Sequence, residues 1–180
     1  MPAAKKVTAK KAALVKTDHK KAVWVHSLFT DYDIDLFLVG KHFRLYEKMG
    51  SHLISIDGTV GTYFSVWAPN AINVAVVGNF NDWNNASHGL NKRWDKSGIW
   101  EGFIPGIAKG EVYKYFVKGF DESEHLKGDP YARRWEHPPQ TASIVWDTDY
   151  TWKDKTWLNK RAKLNALDQP ISVYEVHIGS

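Results

Sequence analysis

An all-β fold, preceded by a basic leader and flanked by short helical pieces, follows from three features of this 180-residue chain. Runs of β-branched and aromatic residues alternate with period two, which is the pattern of strands. Proline, glycine and asparagine clusters separate those runs. The first 21 residues carry seven lysines against the single acid Asp18, so they hold +6 while the whole chain is +4 and the remainder is −2.

The leader, residues 1–30, is built from Lys, Ala, Thr and Val. It has too little apolar surface to offset the entropy of ordering and reads as a flexible, disordered tail. Such a tail attracts polyanions nonspecifically, with an affinity that collapses in salt; the plainer reading, a solvated leader, is preferred, and nucleic acid is not an expected partner. Residues 31–55 read as an extension packing on the main module. Within it Leu36, Phe37, Val39, Phe43, Leu45, Tyr46 and Met49 suggest a short helix interrupted at Gly40.

The module itself is expected over residues 56–148. Gly58 to Gly61 reads as a turn feeding a strand at Thr62, because its glycines fit neither phosphate-loop pattern. Tyr63, Ser65 and Trp67 alternate with Phe64 and Val66, and Ile72, Val74 and Val76 alternate with Asn73, Ala75 and Val77. Between these runs Pro69 lacks a backbone donor and pushes Ala68 to an extended conformation, so the chain must turn. A second pair, Gly98 to Pro105 and Glu111 to Lys118, repeats the alternation and places Lys114 on a strand face with Phe116. Gly128-Asp129-Pro130-Tyr131 reads as a turn, Pro138-Pro139 as a rigid break, and Ala142 to Trp146 as a last strand. Residues 149–170 are a polar linker with helical tendency, and residues 171–180 a single strand-like run.

The most informative loop is Asn79-Phe80-Asn81-Asp82-Trp83-Asn84-Asn85. It is too rich in turn formers for a strand, yet carries two large aromatics. An indole beside several amides suits a sugar: the ring presents a flat apolar face, and amides both donate to and accept from hydroxyls. The alternative for such aromatics is to cap the core, a role that fits Phe80 better than Trp83. Of the nine tryptophans, Trp67 and Trp100 fall in strand patterns and are expected to pack, whereas Trp83 and Trp94 lie in or near loops.

The strings SVWAPNAINVAVVGNFNDW, SGIWEGFIPG, VYKYFV, KGDPYA and PPQTASIV occur in that order. Together they resemble the starch- and glycogen-binding module, carbohydrate-binding module family 48, that precedes the catalytic barrel in branching and debranching enzymes of the α-amylase superfamily. FLVGKHFRLYEKMGSH upstream and SVYEVHIGS at the end are similar to branching enzymes in particular. The resemblance implies an immunoglobulin-like β-sandwich and an α-1,4-glucan ligand such as glycogen or maltooligosaccharide. It implies a sugar site at Trp83, which would stack on a glucose face, with Asn81 and Lys114 bonding hydroxyls. Relatives usually place a second tryptophan on the loop after the lysine strand; here Phe120 stands there.

Length limits the chemistry. A (β/α)8 barrel needs about 250 residues, and only nine follow from Ser172, so the chain is expected to be the N-terminal part of a larger enzyme. Retaining chemistry on an α-glucan needs two carboxyls about 5 Å apart on barrel strand ends, so no catalytic residue is assigned. Glu175 and His177 share a strand face that in the family looks into the barrel, which makes that barrel the second expected partner. The alternative function is a bracing β-sandwich without glucan affinity. The histidines lack metal-ligand spacing and the chain has no cysteine, so neither a metal nor any other cofactor is expected. No apolar run approaches membrane-spanning length and no signal-peptide pattern follows the first lysines, so no membrane partner is expected and the setting is read as cytoplasmic.

Overall fold

A computed structural model describes residues 22–164, 167–168 and 170–179. The predicted tail over residues 1–21 lies outside them. Two compact units meet at Asp147 and Thr148.

The first unit is a sandwich of two antiparallel sheets. One runs in the order β1 (Gly50–Ile56), β2 (Thr59–Trp67), β5 (Ile99–Pro105), β4 (Asn91–Lys92). The other runs β3 (Ala71–Gly78), β6 (Val112–Gly119), β9 (Ser143–Ile144), β8 (Arg134–Trp135), with β7 (Glu124–Lys127) also paired to β6. Inward residues of the predicted alternation meet between them: Phe64, Val66, Trp100 and Ile104 from the first sheet, Val74, Val76, Tyr113 and Tyr115 from the second. Phe64 and Tyr113 pack edge to face with centroids 5.0 Å apart, a favoured aromatic geometry. Leu90 fills the core where the chain leaves the flank of β3 and crosses to β4.

The first sheet is buried on both faces because residues 22–49 form a third layer. Trp24 exchanges backbone hydrogen bonds with Phe103 at 2.7 and 3.0 Å and packs on Phe103 and Tyr63. Farther along, Phe29, Ile34 and Met49 close over Ile99. Helix α1 (Asp31–Leu38) is set by a capping box: Thr30 Oγ1 accepts from the Asp33 backbone, and Asp33 accepts from the Thr30 backbone at 2.8 Å.

Several expectations shift. Residues 22–30, read as tail, are ordered by this packing. Strand β1, which falls in the stretch read as an extension, belongs to the sandwich: it pairs with β2 from Gly50↔Ser65 to Ile56↔Thr59. The turn between them is Asp57-Gly58, both at positive φ, the chemistry of a two-residue hairpin loop, so β2 begins at Thr59 rather than Thr62. The helix starts at Asp31, where the cap dictates, and ends at Leu38, before Gly40. Trp100 is buried as expected, but Trp67 at the end of β2 is 57% exposed, its indole N–H donating to Ser97 O.

The second unit holds α2 (Lys155–Leu164) and an exposed run, without strand structure over residues 170–177 and turning at 178–179, where a strand-like run was expected. Glu175 and His177 lie in that run. No helix among the described residues is long and apolar enough to cross a membrane.

Candidate functional site

Strand β3 ends at Gly78, where a Cβ would stand 2.1 Å from the Val112 carbonyl oxygen. Only a bare backbone passes there. The chain then makes a 3-10 turn over Asn79–Asn81 and places Asp82 and Trp83 in succession in the left-handed region, at φ 52° and 57°. Each such non-glycine residue costs on the order of 1–3 kcal/mol unless its surroundings enforce it.

Asn81 supplies that enforcement. Its Oδ1 accepts from the Gly78 backbone at 3.0 Å, and its Nδ2 lies within 2.9–3.2 Å of Val76 O, Asn84 O, Ser87 Oγ and His88 Nδ1. The Asn81 amide is thus occupied inside the loop, which makes it a positioning residue for Trp83 rather than an open hydroxyl partner. Burial holds the His88 imidazole below its ordinary pKa, in keeping with an accepting Nδ1. Phe80 turns back toward the core and meets the His88 ring edge on.

Trp83 is fastened at both ends: its backbone N–H donates to Gly78 O and its Nε1–H to Asn79 Oδ1, each at 3.0 Å. The indole stays 39% exposed. It lines a depression of about 290 Å³ on the outer face of the second sheet with Asn85, Phe116, Glu124, His125 and Leu126. Phe116 is buried there with Ala75 and Val77, and the register sets it opposite Ala75 on one side and Leu126 on the other. Lys114 occupies the same face one pleat away, opposite Val77, with its Nζ donating to Thr141 Oγ1 at 2.7 Å. The sheet therefore brings Trp83 and Lys114 to one surface.

Phe120 does not join them. It is 69% exposed in the β6–β7 turn, where Asp121 Oδ1 accepts from the Ser123 backbone and hydroxyl. It lines a separate depression with Pro69 and Val117, and the two depressions share only His125. Strand β7, which supplies Glu124, His125 and Leu126, escaped the sequence reading because EHLK lacks β-branched and aromatic residues. The turn chemistry of Asp121 and Ser123 was the available signal.

Among the described residues no cluster of histidines and carboxylates could hold a metal. The chemistry at hand is an apolar floor, an indole, and hydroxyl-bonding groups at its rim.

Residues 48–132 match carbohydrate-binding module 48, described as the isoamylase N-terminal domain. Over 152 residues, 84% of this chain, it is 53% identical to the 1,4-alpha-glucan branching enzyme GlgB of Thermosynechococcus vestitus, of which the match spans 20%. Over 154 residues it is 48% identical to the enzyme of the same name from Aquifex aeolicus, covering 86% of this chain and 24% of that one. A solved pullulanase of Klebsiella pneumoniae complexed with maltotriose is 27% identical over 56% of this chain and 10% of that one, with a TM-score of 0.45. The chain thus spans about a fifth of the length of the curated relatives it matches. The residues that match carbohydrate-binding module 48 include the Trp83 loop and the Lys114 strand of the sandwich.

Proposed function

We propose that this chain is the α-1,4-glucan-binding module of a glycogen branching enzyme. The observation that carries the reading is Trp83: a rigidly held, partly exposed indole over an apolar floor, with Lys114 on the same face. A glucose ring stacks its C–H face on the indole, Lys114 exchanges its bond to Thr141 for a sugar hydroxyl, and Asn85 and Glu124 offer further partners. Phe120 would serve only a glucan long enough to pass His125.

In the longer enzyme the module would hold glucan near a barrel that moves an α-1,4-linked segment to an α-1,6 branch point through a glycosyl-enzyme intermediate. The barrel is then its second partner, and a cytoplasmic setting fits a cysteine-free chain. The competing reading, a bracing sandwich without glucan affinity, draws on the inward-turned amide of Asn81.

Titration with maltoheptaose, followed by calorimetry at low and high salt, separates the two. Salt-insensitive binding that Trp83→Ala weakens at least about tenfold, a loss of about 1.4 kcal/mol, and that Lys114→Met weakens less, supports the glucan reading. Absence of heat at millimolar sugar leaves the brace.

A further inference from the structure

The most exposed of the nine tryptophans is not Trp83 but Trp94, 83% exposed at the hairpin between β4 and β5, on the other sheet. The turn beneath it is tightly built. Arg93 donates through Nε to Asp95 Oδ2 at 2.7 Å and through its backbone to Ile99 O at 2.9 Å. Asp95 Oδ1 accepts from the Ser97 backbone at 3.1 Å, and Ser97 O receives the Trp67 indole N–H at 3.0 Å. Arg93 is also anchored below by Glu101, at 2.6 Å. The turn is therefore tied on both sides while it holds a large apolar ring in water.

Trp94 and Asp31 together line two adjoining depressions, of about 400 and 560 Å³. In the first, Ile34 and Leu38 of α1 give an apolar wall, and Asp35, one turn after Asp31, gives a second carboxylate. In the second stand Asp57 and Asn91. Asp31, Asp35 and Asp57 make no ion pair among the described residues. An indole flanked by uncommitted acceptors fits a pyranose, whose C–H face covers the ring while its hydroxyls donate to the carboxylates.

We propose that the groove at Trp94, between α1 and the β4–β5 hairpin, is a second α-glucan contact, independent of the one at Trp83. The choice of an α-linked glucan rests on the function proposed above; the groove and its exposed indole do not. Two contacts on different sheets would engage two outer chains of one branched glucan and raise avidity without raising affinity for either chain.

The test is a titration of the ¹⁵N-labelled 180-residue chain with maltoheptaose, following indole N–H resonances in the wild type, Trp83→Ala and Trp94→Ala, whose missing peaks assign the two rings. The expected result is saturable shifts at both indoles, with the Trp94 shift retained in Trp83→Ala within about twofold in Kd and calorimetric stoichiometry falling from two to one in either variant. A Trp83 shift with Trp94 unmoved overturns this inference and leaves the proposed function standing. A Trp94 shift with Trp83 unmoved upholds the groove and removes the Trp83 site. No shift at either indole defeats both.

Discussion

The hydroxyl of Tyr113 donates to Asp129 Oδ2 at 2.6 Å, and neither residue has any exposure to solvent. Tyr115 offers its hydroxyl to the same oxygen at 3.4 Å, while Asp129 Oδ1 accepts from the Tyr131 backbone at 2.8 Å. The Asp129 backbone N–H is itself taken by Ser143 Oγ at 2.8 Å. The buried carboxylate thus ties the Gly128–Tyr131 turn to β6, and the backbone N–H ties it to β9, inside the sheet whose outer face carries Phe116 and Lys114.

Replacing Asp129 by Ala strands the Tyr113 hydroxyl in the core, leaves the Tyr115 hydroxyl to the Ser65 carbonyl at 3.3 Å, and frees the turn. The expected loss is about 1–3 kcal/mol, read as a lowered midpoint in urea unfolding, with Asp129→Asn losing less because an amide still offers an oxygen.

Acid titration should show two opposing slopes. Burial pushes the Glu101 carboxyl above its ordinary 4.5, outweighing the pull of Tyr63, Arg93 and Ser27. The unfolded chain therefore ionises first, so this group's contribution is full below 4.5 and is lost as pH rises through the higher folded value. Asp33 is the reverse: burial opposes it, but hydrogen bonds from Thr30 and His42 and the Lys48 charge hold it well below its ordinary 3.8. Its contribution is present above 3.8 and lost as pH falls toward the folded value. Denaturant midpoints measured from pH 2 to 7 should lose the first slope in Glu101→Gln and the second in Asp33→Asn.

Asn81→Ala should abolish glucan binding at Trp83 without removing a ligand contact. The Gly78 N–H and the Val76 carbonyl lose the Asn81 amide, the Asn84 carbonyl keeps only Ser87, and the left-handed pair at Asp82 and Trp83 loses its main support. Amide exchange over residues 78–88 should accelerate and stability should fall by about 1–3 kcal/mol, while the far sheet around Tyr63 and Phe103 keeps its protection.

Trp24→Ala removes the ring that packs on Phe103 at a centroid distance of 5.3 Å. The covered face of the first sheet opens, at a cost of about 3–5 kcal/mol. Binding at Trp83 should not change per folded molecule, since that ring sits on the other sheet; its indole N–H shift on titration with maltoheptaose, below the unfolding transition, checks this.

Local pattern was enough to read β2, β3, β5 and β6, the turn at Pro69, and the display of Trp83 and Trp94. These depend on period-two alternation and on residues whose backbone preferences act within a few positions. Tertiary structure decided what depends on distant partners. Trp67 lies in a strand pattern yet stays half exposed, because burial is set by what packs above a face and not by the strand itself. Asp129 reads as a turn residue and proves to be a core acceptor, since Tyr113 and Tyr115 lie far from it in sequence. The Asn81 amide, a hydroxyl ligand by the family resemblance, is engaged by backbone groups that only the folded loop brings within reach. Strand β7 has weak intrinsic preference and exists because β6 offers it a ladder, and that borrowed strand completes the floor under Trp83.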